Sequence, residues 1–206
     1  MRRLVLASGN SGKLAELAAL LQPLGIEVRP QSDWDVPEAE ETGTTFVENA
    51  LLKARNAARH TGLPALGDDS GIVVDVLDGA PGIRSARYAG EGASGSEHIR
   101  KLLAALDGVP EAQRVAHFHC TMVLMRTPDD PAPYIATGRW HGRVLESPRG
   151  DGGFGYDPVF WVPGRGCSAA ELDPVDKNRI SHRGLALQAL LGQLKGDGQV
   201  KNDGRG

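Results

Sequence analysis

The spacing of hydrophobic residues predicts alternating strands and helices in the first third of the chain. The segment 3–7, apolar from Leu4 to Ala7, is typical of a short buried strand, and a helix follows from about residue 11 until Pro23 and Gly25. The apolar positions of this helix recur at the i, i+3, i+4, i+7 spacing of one helix face: Leu14, Leu17, Ala18 and Leu21. A second strand is predicted over 26–29, before an acidic, irregular segment.

Two capping boxes mark the starts of further helices. Thr45-x-x-Glu48 predicts a helix to about His60, and Ser94-x-x-Glu97 predicts another, with apolar residues on one face. The remaining predicted elements are strands at 66–68 and 72–76, glycine-rich loops at 78–95 and 148–158, strands at 115–126 and 134–146, and a helix at 183–194. This order of elements predicts an α/β fold with a mixed sheet.

The strand predicted over 115–126 alternates in its side chains. Its apolar face carries Phe118, Cys120, Met122 and Leu124, while the opposite face carries His117, His119 and Thr121. Two histidines at i, i+2 without a third ligand are more often structural than zinc-binding, so we predict no zinc site here. Cys120 is interpreted as a small buried hydrophobic residue.

Length and charge narrow the class of protein. The chain has 206 residues, 23 basic against 26 acidic, and a net charge of −3, without the basic excess typical of nucleic-acid binding. No stretch approaches the roughly 20 apolar residues of a membrane span, and the first apolar run is too short for a signal peptide. The two cysteines have no metal spacing, so a cytoplasmic protein is expected. We predict one domain over 1–195, followed by a disordered tail at 196–206.

The segment Ser8-Gly-Asn-Ser-Gly-Lys13 lies between the first strand and the first helix. Backbone N–H groups at a helix N-terminus favour an anion, and a lysine adds a positive charge. It is not a Walker A loop, because Ala7 and Leu14 stand where that motif requires glycine and serine or threonine. The residues alone leave two interpretations open: a phosphate-binding loop, or a glycine-rich turn with a solvated lysine.

Paired acidic residues suggest a metal site. Asp68-Asp69-Ser70-Gly71 follows a predicted strand, and Glu40-Glu41 is a second carboxylate pair. Carboxylates together with substrate phosphates are the usual ligands of Mg²⁺. The alternative is that Asp68-Asp69-Ser70-Gly71 is an ordinary polar turn between two strands.

Seven separated motifs in order resemble the inosine/xanthosine triphosphate pyrophosphatase family over residues 4–194. They are Ser8-Gly-Asn-Ser-Gly-Lys13, Glu41-Thr-Gly-Thr-Thr-Phe-Val-Glu-Asn-Ala50 with Lys53, Asp68-Asp-Ser-Gly71, Gly79-Ala-Pro-Gly82 with Ser85-Ala-Arg-Tyr88, Gly152-Gly-Phe-Gly-Tyr-Asp-Pro158, Lys177-Asn178 and Ser181-His-Arg183. The resemblance implies an elongated α/β protein with two lobes around a substrate cleft, usually a homodimer. It also implies Mg²⁺-dependent hydrolysis of deaminated purine nucleoside triphosphates (ITP, dITP and XTP) to the monophosphate and pyrophosphate.

The resemblance also implies a role for each matching residue. The triphosphate would be bound by Ser8, Gly9, Asn10, Ser11, Gly12, Lys13 and Lys53, with Ser70 touching the substrate. Mg²⁺ would be held by Glu41, Asp68 and Asp69, and Asp69 would be the general base. The base pocket would be formed by Phe154, Gly155, Tyr156, Asp157, Lys177, His182 and Arg183.

The chemistry of the base explains why donors are expected in that pocket. Inosine and xanthosine carry an acceptor oxygen at C6, whereas adenine carries an amino donor, so the donors of Lys177, His182 and Arg183 would favour the first two. Phe154 and Tyr156 have two interpretations, stacking on the purine or ordinary core packing. Two other functions stay open: a pyrophosphatase for modified pyrimidine nucleotides, and a nucleotide-sensing module without turnover.

Overall fold

The computed structural model describes residues 3–198. The strands are β1 (Arg3–Leu6), β2 (Glu27–Pro30), β3 (Ala65–Val74), β4 (Val115–Met125), β5 (Tyr134–Val144), β6 (Phe160–Val162) and β7 (Cys167–Ser168). The helices are α1 (Ser11–Leu21), α2 (Phe46–Thr61), α3 (Gly95–Ala105), α4 (Pro174–Ile180) and α5 (His182–Gly196). None of these helices is long and apolar enough to cross a membrane.

The strands form one mixed sheet in the order β2-β1-β3-β4-β5-β6-β7. β1 pairs in parallel with β2 and β3, whereas β6 pairs antiparallel with β5 and β7. Parallel pairs arise where helices cross over between strands, here α1 and α2, and antiparallel pairs arise from short connections. The predicted α/β fold with a mixed sheet is confirmed.

The chain divides into two compact units. Of the described residues, the first unit contains 3–69, 120–138 and 183–198, and the second contains 70–119 and 139–182. The single domain over 1–195 and the substrate cleft stay predictions. Of the predicted tail, Gly196 ends α5, and 199–206 lie outside the described residues.

The core of the first unit covers both faces of the sheet, because successive strand residues point in opposite directions. Leu4 and Leu6 of β1 pack with residues of α1 and α5, while Val5 and Ala7 pack with α2. The buried face of α2 consists of alanines: Ala50, Ala54, Ala57 and Ala58. These small side chains let α2 lie so close to β3 that a Cβ on Gly67 would come 2.1 Å from the Ala50 carbonyl oxygen.

The core of the second unit is rich in aromatic rings. Phe118 of β4 lies with its ring centroid 4.5 Å from that of Phe160 and 6.2 Å from that of Trp140.

Both predicted capping boxes are present in the structure, at Thr45 with Glu48 and at Ser94 with Glu97.

The largest difference from the predicted elements concerns β3. It is one uninterrupted strand of ten residues, so the alternative of a polar turn at Asp68-Asp69-Ser70-Gly71 is wrong, as are two separate strands. The strand continues because Asp68 and Asp69 are buried with cationic partners and Gly71 lets other backbone approach: a Cβ there would be 2.3 Å from the Gly82 carbonyl oxygen. Helix α4 and the short strands β6 and β7 are additional elements that the hydrophobic pattern did not predict.

Candidate active site

The loop before α1 is held by its own side chains. The Ser8 hydroxyl accepts a hydrogen bond from the Asn10 backbone N–H (3.1 Å), and the Asn10 carbonyl oxygen Oδ1 caps α1 by accepting from the Lys13 N–H (3.0 Å). The first turn of α1 contains no acidic residue. An acid from elsewhere in the chain lies close to the preceding loop, because a Cβ on Gly9 would lie 3.0 Å from Glu38 Oε1. The positive end of the helix dipole still favours an anion, in competition with this carboxylate.

Asp68 is completely buried between two cations of the first unit. Its Oδ1 accepts from Lys13 Nζ (2.6 Å), and its Oδ2 accepts from Arg183 Nε (2.8 Å) and lies 3.5 Å from Cys120 Sγ. Burial alone would raise the pKa of Asp68, but Arg183 and Lys13 outweigh it and hold that pKa well below its usual range. Asp68 is therefore a fixed negative charge that positions Lys13 and Arg183.

Arg183 also connects Asp68 to an acidic residue of α1. Its Nη1 is also ion-paired with Glu16, and the guanidinium is almost completely buried. The sequence reasoning missed Glu16 as a member of the site. A signal was present, because Glu16 lies three residues after Lys13 and thus on the same side of the predicted helix.

Lys53 joins a second pair of carboxylates. Its Nζ lies 2.6 Å from Glu41 Oε1 and 2.7 Å from Asp69 Oδ1. Burial would lower the pKa of Lys53, but the charges of Asp69 and Glu41 outweigh it and raise that pKa, so the lysine is cationic. For Asp69, burial is the largest influence and raises the pKa, and Lys53 offsets it only in part.

Asn49 is a further member of this cluster that sequence reasoning missed. It is fully buried, accepts a hydrogen bond from the Gly43 N–H (2.9 Å) and donates one to Asp69 Oδ2 (3.5 Å). Asn49 follows Glu48 within one of the motifs, but the sequence gives no sign that its side chain contacts Asp69.

The carboxylates beside Lys53 are candidate ligands for Mg²⁺. Within residues 3–198 no three His, Cys, Asp or Glu side chains form a preformed metal site. Glu41 and Asp69 nevertheless already share one cation, the Lys53 ammonium, and carboxylate oxygens are the ligands Mg²⁺ prefers. These two residues therefore fit the ion. Both oxygens of Asp68 have cationic partners, and its role as a ligand stays a prediction.

In the second unit, Asp157 organises two of the predicted base-pocket residues. Its Oδ2 accepts from Lys177 Nζ (2.7 Å) and from the Phe154 N–H (2.8 Å), and Nζ lies 5.0 Å from the centroid of the Phe154 ring. Asp157 and Lys177 are both buried. The loop can turn this tightly because Gly153 has φ +71° and a Cβ there would lie 2.2 Å from Asp157 Oδ2.

Tyr156 and His182 are packed in the core of the second unit. The Tyr156 hydroxyl donates to the Ser85 carbonyl oxygen (2.9 Å), and burial raises the pKa of this phenol. His182, at the start of α5, stacks on Phe118 with 4.7 Å between ring centroids and 14° between ring planes. Core packing is thus what the structure shows for Tyr156, and the roles of both residues toward a base stay predictions.

A cavity of about 520 Å³ in the second unit lies between α3 and the loop around Phe154. Of the predicted base-pocket residues, Phe154 and Gly155 line it, while Tyr156, Asp157, Lys177 and His182 do not. Ser70, half-buried in β3, does not line the cavity either. The cavity therefore adjoins the Lys177 cluster through Phe154 but does not include Lys177 itself.

An α/β protein in which a lysine-bearing helix N-terminus accompanies buried carboxylates paired with lysines has features of a nucleotide-handling enzyme. The chain belongs to the Ham1 family, whose model matches residues 4–193.

Curated relatives are similar in sequence to this chain over nearly their whole length. The chain is 58% identical over 194 residues to a dITP/XTP pyrophosphatase of Vibrio parahaemolyticus, covering 94% of this chain and 97% of that protein. It is equally identical to a dITP/XTP pyrophosphatase of Methylococcus capsulatus, covering 94% and 96%.

Solved structures have the same fold. A HAM1 protein from Coxiella burnetii superposes with a TM-score of 0.86 at 53% identity, covering 95% of this chain and all of that one. A dITP/XTP pyrophosphatase from Mycobacterium abscessus gives 0.72 at 42% identity, covering 93% and 99%.

Proposed function

We propose that this protein hydrolyses the deaminated purine nucleoside triphosphates dITP, ITP and XTP to the nucleoside monophosphate and pyrophosphate. The observation that carries the proposal is the bridge from Lys53 to Glu41 and to the buried Asp69. It places a buried carboxylate beside a cation and a second carboxylate, so a base for the attacking water and positive charge for the phosphates lie together.

Each part of the first-unit cluster has a task in this reaction. The N-terminus of α1 and Lys13 bind phosphate oxygens, and Lys53 neutralises negative charge that develops as pyrophosphate leaves. Asp69 accepts the proton of the attacking water. Glu41 and Asp69 would hold Mg²⁺, which supplies charge neutralisation and a water of lowered pKa when bound.

Asp68 and Glu16 orient cations. Asp68 holds Lys13 and Arg183, and Glu16 holds the far side of the Arg183 guanidinium. Because these charges are fixed before substrate arrives, little reorganisation is needed when the phosphates change charge.

Recognition of the base is assigned to donors. Three donors would meet the C6 oxygen of hypoxanthine or xanthine: Lys177, which Asp157 orients, together with His182 and Arg183. An adenine amino group at C6 would leave these donors unpaired. The Phe154 ring, which lies over the Lys177 ammonium, would stack on the base.

The family resemblance also bears on the oligomeric state, location and partners that we propose for this protein. We expect a homodimer in the cytoplasm that acts on the nucleotide pool and binds no nucleic acid. Light scattering coupled to size exclusion would measure the mass, and a monomer at micromolar concentration would contradict the expected dimer.

The function is tested by incubating the protein and Mg²⁺ with dITP, XTP, ITP, dATP, dGTP and a panel of modified pyrimidine triphosphates. Pyrophosphate and the monophosphate are expected from the first three substrates. Orthophosphate as the sole phosphorus product, or equal rates with dATP, would refute the proposal. Faster turnover of modified pyrimidines would favour the alternative substrate class, and binding without turnover would favour a sensing module.

A further inference from the structure

The buried amide of Asn49 contacts both sides of the carboxylate pair beside Lys53, and the proposed reaction gives it no task. Its Oδ1 accepts a hydrogen bond from the Gly43 N–H at 2.9 Å, in the segment that carries Glu41. Its Nδ2 faces Asp69 Oδ2 at 3.5 Å. All of these residues belong to the first unit. One side chain of α2 thus connects the segment of the first carboxylate to the second carboxylate.

The backbone determines which way this amide points. A backbone N–H can only donate, so the atom of Asn49 that meets Gly43 is the oxygen. The NH₂ group is therefore directed at Asp69, whose ionised carboxylate can only accept. Neither an ionised carboxylate nor an aliphatic side chain of this size could make both contacts, because one lacks the donor and the other lacks both groups.

The segment before α2 is packed closely against the first turn of that helix. A Cβ on Gly43 would lie 2.6 Å from Asn49 Oδ1 and 2.6 Å from Glu48 Cβ. The Glu48 carboxylate accepts from the N–H groups of Thr44 and Thr45, both at 2.8 Å. Three successive backbone N–H groups therefore hold this segment to α2, and Asn49 accepts the first of them.

Asn49 and Lys53 are four residues apart and so lie on the same face of α2. Lys53 engages Asp69 Oδ1 at 2.7 Å, and Asn49 faces the other oxygen. The lysine is assigned to the charge of the leaving pyrophosphate, so its contacts with the carboxylates change during the reaction. Asn49 is neutral and fully buried, and its contacts can persist while those of the lysine change.

We propose that Asn49 is a positioning residue, whose amide sets the placement of Glu41 relative to Asp69 and so prepares this pair for a divalent ion. The inference rests on the proposed function, which supplies the reason for an ion at this pair. Carboxylates that bind metals are themselves held by hydrogen bonds, and loss of such a partner lowers metal affinity or activity by about 10–100-fold.

The test measures divalent-ion binding to the full-length protein without nucleotide. Electron paramagnetic resonance of free Mn²⁺, used in place of Mg²⁺, gives the number of sites and their affinity. We expect one saturable site per native chain and binding about 10–100-fold weaker in Asn49→Ala. The matched control is Asn56→Ala on the same helix, which removes a hydrogen bond to the Pro37 carbonyl oxygen (2.7 Å) and should bind Mn²⁺ as the native protein does.

Two results would overturn the proposal: native-like Mn²⁺ affinity in Asn49→Ala, or no saturable site in the native protein. Circular dichroism and thermal unfolding establish that each variant is folded at the temperature of the titration. A role confined to the packing of α2 would lower the unfolding temperature of Asn49→Ala and leave its Mn²⁺ affinity unchanged.

Gly43→Ala disturbs the same contact from its other side and leaves Asn49 in place. The added Cβ would push the segment away from the amide, so this variant should also bind Mn²⁺ more weakly. Because the two substitutions disrupt one shared contact, their combined loss of affinity should be smaller than the sum of the single losses, and full additivity would contradict the proposal.

These titrations require no turnover, so they separate the role of Asn49 from the proposed function. A chain that binds Mn²⁺ through this pair but leaves dITP intact would refute the pyrophosphatase and retain Asn49 as a positioning residue. A chain that cleaves dITP, with Asn49→Ala binding Mn²⁺ as the native protein does, would retain the pyrophosphatase and remove Asn49.

Discussion

Arg183 and Lys13 engage different oxygens of one buried carboxylate, Asp68, at 2.8 Å and 2.6 Å. Two cations around one anion leave the cluster positive before Glu16 and substrate are counted. A nucleoside triphosphate is strongly negative, and the chain as a whole carries a net charge of −3. Local cations, rather than the overall field of the protein, must therefore attract the phosphates.

Asp68→Asn should destabilise the protein. The change leaves buried Arg183 without one of its two carboxylates, and removing one member of a buried ion pair costs about 3–5 kcal/mol. Urea unfolding at pH 7 measures the free energy of unfolding. Asp33→Asn, which breaks the exposed pair with Arg29, is the control and should cost less than about 1 kcal/mol. Equal losses in the two variants would contradict the importance of Asp68.

The same residue should make stability depend on acid pH. The pKa of Asp68 is lower in the folded protein than in the unfolded chain, where it is about 3.9, so its contribution is complete above that value. It is lost as pH falls below about 4 toward the folded pKa. Urea unfolding between pH 6 and pH 3 should show a smaller decline for Asp68→Asn than for the native protein. Parallel declines would refute this account.

Asp69→Asn should reduce kcat for dITP by about 10²–10⁴-fold, the usual contribution of a general base. The amide keeps the shape of the side chain but cannot accept the proton of the attacking water. Steady-state assays of pyrophosphate release give kcat, and circular dichroism checks the fold. Asp129→Asn, at a side chain 89% exposed, is the matched control. A kcat near that of the control would exclude Asp69 as the base.

Gly67→Ala should impair both stability and turnover. The new Cβ would meet the Ala50 carbonyl oxygen at 2.1 Å and push α2, which carries Lys53, away from β3, which carries Asp69. Overpacking of this kind costs about 1–3 kcal/mol. Thermal unfolding and kcat are the measurements. Gly164→Ala, where a Cβ meets nothing within 4 Å, should be close to neutral, and equal effects would contradict the packing argument.

Lys177→Met should reduce the preference of the enzyme for dITP over dATP. The variant removes a donor expected to meet the C6 oxygen but retains an unbranched side chain beside Phe154. The ratio of kcat/KM for dITP to that for dATP should fall about tenfold or more, mainly through loss of activity on dITP. Lys101→Met, at an exposed lysine of α3, should leave the ratio unchanged. An unaltered ratio in Lys177→Met would remove this residue from base recognition.

Local patterns in the sequence alone are sufficient to predict much of the fold. The helix faces, the capping residues Thr45 and Ser94, and the alternation of β4 depend on neighbours within about four positions, so the sequence alone predicted them correctly. The motif residues of the candidate site were likewise visible in the sequence, as was the α/β class.

Only the tertiary structure decided which of these residues meet. Arg183 reaches Asp68 across 115 positions, and Asn49 reaches Asp69 across 20. His141 comes beside His117 only because β4 and β5 are neighbours in the sheet. Strand register and helix packing set such contacts, and neither has a local signal in the chain. The same reason explains β3: its four-residue polar segment is typical of a turn by composition, yet buried cations and close-packed backbone keep it in a strand.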